Sequence, residues 1–294
     1  MYDIGLPSGK TLYQIQMERI LRLEELARRL TGTRGRIQMY IMTSEATKEP
    51  TRAFLEKNNY FGLSREQVTI FEQRVIPAFD NAGKFILETR AKLARSPDGN
   101  GGLYWALRHQ GILADLEAKD VRFLHVYCVD NVLVKVADPV FMGYCIEKKA
   151  GREHYTILQK LKQILASESG NKVVEKACPA EAVGVVCKLE GKIQVQEGVS
   201  NKICFIDCVK VVEYSEISQE TSEQRTEDGK LTYRAGNICN HFFTRDFLKV
   251  CFPFTIIFSR LCLSSASAMS TRGSCLTTWR RRRSPFLILS PASE

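Results

Sequence analysis

The chain has 294 residues, of which 44% are hydrophobic and 26% are charged. These fractions are typical of a folded globular protein and exclude a wholly disordered chain, and no run reaches the roughly 18–20 apolar residues that a membrane helix needs. The formal net charge of +9 is concentrated in residues 251–294, which hold six arginines and one acid, so the first 250 residues carry only +4 and their charge does not indicate nucleic-acid binding.

Helix-length and strand-length segments alternate through the first 150 residues. Residues 11–30 place leucine and isoleucine at near-helical spacing with charges between them, which predicts an amphipathic helix. Such alternation favours an α/β fold with helices on both sides of a parallel sheet. The predicted elements are, in chain order, a helix at 11–30, a strand at 37–42, a helical segment around 51–58, a strand at 67–71, an extended stretch at 84–88, a helix at 103–118 and a strand at 122–130 that is buried on both faces.

The pattern changes beyond residue 150. The further predicted elements are a polar helix-like insert at 153–167, strands at 172–176 and 210–217, a hairpin at 182–192 and an apolar run at 231–243. From Cys251 onward, apolar, serine-rich and arginine-rich stretches follow one another without helical or alternating period. We therefore expect residues 251–294 to be poorly ordered.

Two motifs that could hold a metal or a phosphate are weak. The ten cysteines are scattered without a Cys-x2-Cys pair, and the four histidines add no zinc-ligand spacing, so we expect reduced thiols. The segment 7–11, Pro-Ser-Gly-Lys-Thr, precedes a helix, but only three residues separate Gly5 from Gly9 where a phosphate loop has four. A turn at a helix N terminus is the simpler interpretation.

Polar residues at the ends of predicted strands are better candidates for a site. The segment 97–102 is the densest turn signal and opens a helix; its glycine N–H groups fit either an anion-binding loop or a tight surface loop. Asp130 ends an apolar strand, and ligands of open parallel sheets bind at that end, so it is a candidate for holding a divalent metal on phosphates, with a turn cap as the alternative. Other polar groups in comparable positions are Glu213, Tyr214 and Asn237.

Nine blocks of sequence carry a family resemblance. They are MYDIGLPSGKTLYQIQ (1–16), YIMTSE (40–45), FEQRVIPA (71–78), PDGNGGLYWAL (97–107), HVYCVDNVLVKVADPVF (125–141), KVVEK (172–176), VGVVC (183–187), VVEYSEIS (211–218) and AGNICNHFFT (235–244). In this order, the blocks closely resemble the eukaryotic UDP-N-acetylhexosamine pyrophosphorylases, especially the "like 1" paralogue. The resemblance covers most of residues 1–250.

This resemblance implies a uridylyltransferase that uses Mg²⁺ to make UDP-N-acetylglucosamine and pyrophosphate from UTP and N-acetylglucosamine-1-phosphate. It implies an α/β, Rossmann-like nucleotidyltransferase fold of glycosyltransferase-A-like type, with a mixed, mostly parallel sheet and flanking helices. By the same resemblance, Asp130 is the catalytic and metal-binding residue and also contacts the nucleotide. The other implied site residues are Gln73 and Gly99 for the uridine part, and Asn100, Gly184, Glu213, Tyr214 and Asn237 for the sugar.

Three departures from the family pattern qualify this expectation. The family's first strand and glycine-rich phosphate loop would precede residue 1, inserts at about 151–171 and 196–211 interrupt matching strands, and residues 251–294 have no counterpart. We therefore expect a partial nucleotidyltransferase domain over 1–250, followed by a non-family tail. Its catalysis should be impaired, because electrostatic stabilisation is usually the largest catalytic contribution.

The expected partners are UTP and an N-acetylhexosamine-1-phosphate, in the cytoplasm and without a membrane or a nucleic acid; a homodimer is an open alternative. A second function is a catalytically impaired fragment or isoform that binds sugar nucleotides or dimerises with an intact relative. A third, nucleic-acid binding through the arginines at 280–283, predicts an affinity that falls steeply with salt and is lost when 251–294 is deleted.

Overall fold

The computed structural model describes residues 3–80, 82–99, 101–150, 169–197, 200–249 and 286–291. The chain divides into two compact units, one formed by residues 1–152, 167–170 and 241–294 and the other by 153–166 and 171–240. The elements up to residue 150 are α1 (Leu12–Thr31), β1 (Ile37–Thr43), α2 (Glu45–Lys57), β2 (Val68–Glu72), β3 (Val75–Pro77), β4 (Leu87–Thr89), β5 (Lys92–Leu93), β6 (Arg95–Pro97), α3 (Gly102–His109), α4 (Ile112–Ala118), β7 (Phe123–Cys128) and α5 (Pro139–Ala150).

The elements beyond residue 150 are mostly strands. They are β8 (Ser169–Glu175), β9 (Val185–Glu197), β10 (Ser200–Val212), α6 (Gln219–Glu223), β11 (Ala235–Thr244) and β12 (Phe286–Pro291). The helix-like insert predicted at 153–167 lies outside the described residues.

The sheet of the first unit has the strand order β2-β1-β12-β7. β1 and β2 pair in parallel, with Met39 opposite Val68. β12 is antiparallel to both β1 and β7, so β1 and β7 point the same way. The sheet is therefore mixed, as expected, with a larger antiparallel share than the sequence predicted.

Strands β1 and β7 are almost completely buried, which explains their composition. All seven residues of β1 are buried, and five of the six residues of β7 are buried. Strands covered on both faces need apolar side chains at nearly every position, as the continuous runs IQMYIM and LHVYC provide. The apolar runs thus predicted both the strands and their burial.

Helix α1 packs one face on this sheet. The side chain of Thr11 caps its first turn, and Gly32, with φ +78°, ends it in the left-handed region, which glycine adopts without steric penalty. Met17 and Ile20 are fully buried and belong to one core cluster with Met39, Ile41 and Leu55. The charged residues Arg28 and Arg29 lie in the last turn, where they interact favourably with the helix dipole.

Three sequence predictions differ from the structure. The helix predicted at 103–118 is two helices, because Gly111 adopts φ +72° between α3 and α4. The hairpin predicted within 182–192 is wrong: residues 185–192 belong to the single strand β9, and Gly191 pairs with Ile206 inside the ladder rather than forming a turn. The segment at 196–211, which was predicted as an insert that interrupts a strand, instead forms most of strand β10.

The tail also differs from the expectation in one short stretch. Residues 286–291 form β12 between β1 and β7, where the apolar sequence Phe-Leu-Ile-Leu suits a strand with a neighbour on each side. The rest of 251–294 lies outside the described residues. The domain boundary at residue 250 stays a prediction.

In the second unit, β9 and β10 form a long antiparallel pair, from Val185 opposite Val212 to Glu197 opposite Ser200. β11 pairs with β9 at Gly236 opposite Val185, and β8 lies beside β11. This arrangement brings the start of β9, the end of β10 and the start of β11 to one place. Three of the predicted sugar-site residues lie there.

Candidate functional site

Asp130 lies in the first unit, in the loop that follows the buried strand β7. Its carbonyl accepts a hydrogen bond from the Val132 N–H at 3.0 Å, and the Asn131 N–H donates to the Cys128 carbonyl at 3.1 Å. The Asp130 side chain is exposed. The structure therefore places this carboxylate at the carboxyl end of the buried strand β7, the position predicted from the sequence.

The two residues assigned to uridine are in direct contact. The Gly99 N–H donates to Gln73 Oε1 at 3.2 Å, although the two residues are 26 positions apart in the sequence. The backbone of Gln73 is held in turn, because its N–H donates to the Thr43 carbonyl at the end of β1 at 2.8 Å. Gly99 has φ +79°, a left-handed conformation that strains any residue with a side chain.

Arg74, the residue after Gln73, makes further contacts with the same loop, and the sequence analysis did not identify it. The Arg74 carbonyl accepts from the Asp98 N–H at 3.1 Å, and the Arg74 guanidinium pairs with the Asp98 carboxylate. The same guanidinium lies 5.2 Å from the centre of the Trp105 ring. These contacts fasten residues 97–99 to the segment that follows β2.

Three residues assigned to the sugar meet in the second unit. The Asn237 N–H donates to the Gly184 carbonyl at 2.7 Å. A Cβ at Gly184 would lie 3.1 Å from Glu213 Oε2, so the carboxylate stands directly against the glycine. Gly184 is buried, while Glu213 is exposed. A glycine therefore leaves room for a carboxylate that faces outward.

Of the other two predicted sugar residues, Tyr214 and Asn100, the structure describes only Tyr214. Tyr214 follows Glu213 in the turn after β10, and its side chain is 41% exposed. Asn100 lies outside the described residues. The roles of all these residues as ligands stay predictions.

The buried Lys176, which lies beside the predicted sugar residue Gly184, was also absent from the prediction. Lys176 is only 5% exposed, and its Nζ lies 3.4 Å from the Pro179 carbonyl and 3.5 Å from the Val183 carbonyl. A buried charge is expensive unless it is hydrogen-bonded, so these carbonyls account for its place next to Gly184. Its position at the end of the strand-like KVVEK block was the only signal in the sequence.

The residues present fit a metal ion that arrives with its substrate. No group of three or more histidine, cysteine, aspartate or glutamate side chains with metal-binding geometry occurs in the described part of the chain. Mg²⁺ in nucleotide enzymes is commonly bound by one or two carboxylates together with water and substrate phosphates. The single exposed carboxylate of Asp130 matches that arrangement and does not match a preformed protein cage.

Burial affects the protonation of Tyr127, a residue of the strand β7 that precedes Asp130. Tyr127 is fully buried, and burial raises the pKa of its phenol well above the usual value of 10.0. Its hydroxyl therefore stays protonated throughout the physiological pH range.

Within the described helices, none combines the length and the apolar character needed to cross a bilayer.

Solved structures define the class of protein. A UDP-N-acetylglucosamine pyrophosphorylase from Trypanosoma brucei matches with a TM-score of 0.67 at 25% identity, over 100% of this chain and 50% of that one. A structure from Entamoeba histolytica assigned to the same activity matches with a TM-score of 0.63 at 31% identity, over 82% of this chain and 52% of that one. The protein has the α/β nucleotidyltransferase fold.

The sequence comparisons give the family. Residues 2–238 match the family described as UTP–glucose-1-phosphate uridylyltransferase, and the chain belongs to this family. The UDP-N-acetylhexosamine pyrophosphorylase-like protein 1 of Xenopus tropicalis is 52% identical over 85% of this chain and 42% of its own length, and the human protein of that name is 50% identical over 85% and 43%. The UDP-N-acetylglucosamine pyrophosphorylase of Saccharomyces cerevisiae is 40% identical over 84% and 45%. The chain thus spans less than half the length of these relatives.

Proposed function

We propose that this protein is a uridylyltransferase that joins UTP and N-acetylglucosamine-1-phosphate to give UDP-N-acetylglucosamine and pyrophosphate. The relatives that match most of the chain carry the names of UDP-N-acetylhexosamine and UDP-N-acetylglucosamine pyrophosphorylases. The proposal extends that activity to this chain. The observation that carries it is that residues assigned to one ligand, and distant in sequence, contact one another in the fold.

The nucleotide part of the proposal rests on Gln73 and Gly99. Their contact at 3.2 Å joins the loop before α3 to the segment after β2. Gly99 leaves its backbone accessible to a flat ring, because no side chain covers it. We assign the uracil end of UTP to this contact, with the exposed Asp130 carboxylate on the phosphate side.

The sugar part rests on Gly184, Glu213 and Asn237. A carboxylate and an amide suit the hydroxyl and acetamido groups of an N-acetylhexosamine, since the carboxylate accepts hydrogen bonds and the amide both donates and accepts. The buried Gly184 lies next to Glu213 Oε2, and its carbonyl accepts from the Asn237 N–H. A sugar that binds here would therefore meet a group already ordered by the protein.

The reaction needs alignment more than covalent help. A phosphate oxygen of the sugar phosphate attacks the α-phosphorus of UTP in line, a new P–O bond forms, and the bond to the bridging oxygen breaks as pyrophosphate leaves with the electron pair. Bound Mg²⁺ would supply positive charge to the phosphates, with Asp130 as its protein ligand. Gln73 and Gly99 would orient the base, and Gly184, Glu213 and Asn237 would orient the sugar, and a ligand oriented in this way loses less entropy on reaching the transition state.

Pyrophosphate release tests this function. The full chain is incubated with UTP, N-acetylglucosamine-1-phosphate and Mg²⁺, and both products are measured. We expect both products in equal amounts, and a loss of about 100-fold in kcat/KM for Asp130→Asn, because a charge that stabilises the transition state is removed. Folded chain that makes no product above the rate without protein contradicts the proposal.

A matched variant controls for a general effect of charge. Asp246→Asn removes the same charge from a side chain that is 71% exposed and pairs only weakly with Arg245. We expect its kcat/KM to equal that of the wild type. We further propose a cytoplasmic location, because scattered cysteines of this number suit a compartment that keeps thiols reduced.

A further inference from the structure

The loop that carries Asp130 is attached to helix α1 by side chains. This loop, residues 129–138, connects β7 to α5 and contains several tight turns. Val134 and Val136 are 3% exposed and belong to the core cluster that also contains Met17 and Ile20 of α1. The loop is therefore packed against α1 as well as connected to β7.

Gln16 and Arg19 of α1 bind three carbonyl groups of this loop. Gln16 Nε2 donates to the Val129 carbonyl at 3.2 Å. Arg19 donates from one terminal nitrogen to the Val132 carbonyl at 3.3 Å and to the Val134 carbonyl at 2.8 Å. Residues three apart on a helix share a face, so the two side chains reach the loop together.

These three carbonyls bracket Asp130. The Val129 carbonyl belongs to the peptide bond that joins Val129 to Asp130, and the Val132 N–H donates to the Asp130 carbonyl at 3.0 Å. A shift of either neighbour would therefore move the Asp130 backbone. The far end of the loop is held separately, since the Ala137 N–H donates to Nδ1 of the buried His125 at 3.0 Å.

The chemistry of the two side chains argues for a positional role. Gln16 is fully buried, yet its Oε1 has no hydrogen-bond partner among the described residues. A buried polar atom of this kind lowers stability, and an apolar side chain of similar length would avoid the loss. Arg19 brings a charged donor to two backbone carbonyls, and a hydrogen bond from a charged donor is stronger than one from a neutral donor.

We propose that Gln16 and Arg19 are positioning residues, which hold the loop so that the Asp130 carboxylate meets the metal and the phosphates of UTP. This inference rests on the proposed function for its ligand. Its structural half, the attachment of the loop to α1, is independent of that function. The two halves are measured separately.

Hydrogen exchange of the whole chain tests the attachment. We compare the wild type with Arg19→Met and Gln16→Met, which remove the donors; methionine has the length of glutamine and keeps an unbranched stem in place of that of arginine. We expect the amides of Asn131, Val132 and Val134 to exchange about tenfold faster in each variant, since loss of a single such bond shifts a local opening equilibrium by about that factor. Arg22→Met is the control, because Arg22 is an exposed arginine of the same helix and should leave these rates unchanged.

Binding of Mn²⁺ and UTP tests the function of the attachment. Mn²⁺ bound in the presence of UTP is measured by electron paramagnetic resonance, and UTP alone by calorimetry. We expect Arg19→Met and Gln16→Met to weaken Mn²⁺ binding at least tenfold while UTP without metal binds as in the wild type. Arg19→Lys, which retains a charged donor, should recover most of the affinity. A general loss of structure would weaken both ligands and would not be rescued.

The outcomes separate the two claims. Unchanged exchange rates and unchanged Mn²⁺ affinity in both variants overturn the positioning role. Wild-type protein that binds neither UTP nor Mn²⁺ contradicts the proposed function, while the exchange rates still decide the attachment. Should Gln16→Met fail to fold, Arg19→Met and its lysine counterpart decide the result, because Arg19 is only half-buried.

Discussion

Substitution of Gly184 by alanine should separate sugar binding from nucleotide binding. The added methyl would lie 3.1 Å from Glu213 Oε2, 3.2 Å from the Val212 carbonyl and 3.3 Å from Val211 Cγ1. The carboxylate can rotate away, but the carbonyl is fixed in the β9–β10 ladder. Overpacking of this kind costs about 1–3 kcal/mol, partly offset by about 0.4–1 kcal/mol from the stiffer unfolded chain. We expect the free energy of unfolding to fall by roughly 0.5–2 kcal/mol.

The displaced carboxylate should also weaken sugar binding. Calorimetry should show about a tenfold loss of affinity for UDP-N-acetylglucosamine, the size expected when a hydrogen bond to a charged group is lost, and no change for UDP. Gly143→Ala is the matched control: it lies in α5 with nothing within 4 Å of the added methyl, and alanine should stabilise that helix by about 0.5–1 kcal/mol. Equal losses for UDP and the sugar nucleotide in Gly184→Ala would refute the assignment of Gly184 to the sugar.

Three further predictions concern stability. Tyr127→Phe should raise the free energy of unfolding by about 1–2 kcal/mol in urea denaturation, because the buried hydroxyl has no hydrogen-bond partner among the described residues; a lower stability would mean that the hydroxyl is bonded. Burial raises the pKa of Tyr13 to about 12 from 10.0, so the folded protein keeps a proton that the unfolded chain loses. The contribution of Tyr13 to stability should be complete below pH 10 and fall by about 2 kcal/mol as the pH rises to 12, so the total loss should be smaller in Tyr13→Phe; the same pH profile in both proteins would contradict this. Leu116→Ala, at a fully buried position of α4, should cost about 2–5 kcal/mol, whereas Leu133→Ala, at a residue 88% exposed, should change stability by less than about 0.5 kcal/mol; similar losses in both would contradict the assigned core.

The elements of the first unit were predictable because their patterns are local. The periodic leucines of α1 and the continuous apolar runs of β1 and β7 mark each element without reference to the rest of the chain. The break at Gly111 was not predicted, since the flanking residues keep helical spacing on both sides and only the backbone angle interrupts it. The continuous β9 was missed for the opposite reason: Gly191 looks like a turn, but a paired strand can hold a glycine in its interior.

Candidate site residues could be named from the sequence, and their roles stay predictions; the residues that support them could not be named. Strand-end position and the family resemblance both pointed to Asp130, Glu213 and Asn237. Gln16 and Arg19 could not be recognised in the same way, because they lie 113 and 115 positions from the carbonyls they bind. In sequence they look like ordinary polar residues on the face of a helix. Side chains that bind a distant backbone leave no local pattern, so only the fold reveals them.

Competition between two sugar phosphates tests the central claim most directly. The full chain is given UTP, Mg²⁺ and equal amounts of N-acetylglucosamine-1-phosphate and glucose-1-phosphate, and the nucleotide sugars formed are separated and quantified. We predict that UDP-N-acetylglucosamine forms at least about tenfold faster than UDP-glucose, because the proposal assigns Glu213 and Asn237 to the acetamido group and each lost hydrogen bond to such a site lowers the rate by roughly this factor. A preference for UDP-glucose, or folded protein that forms neither product, would contradict it.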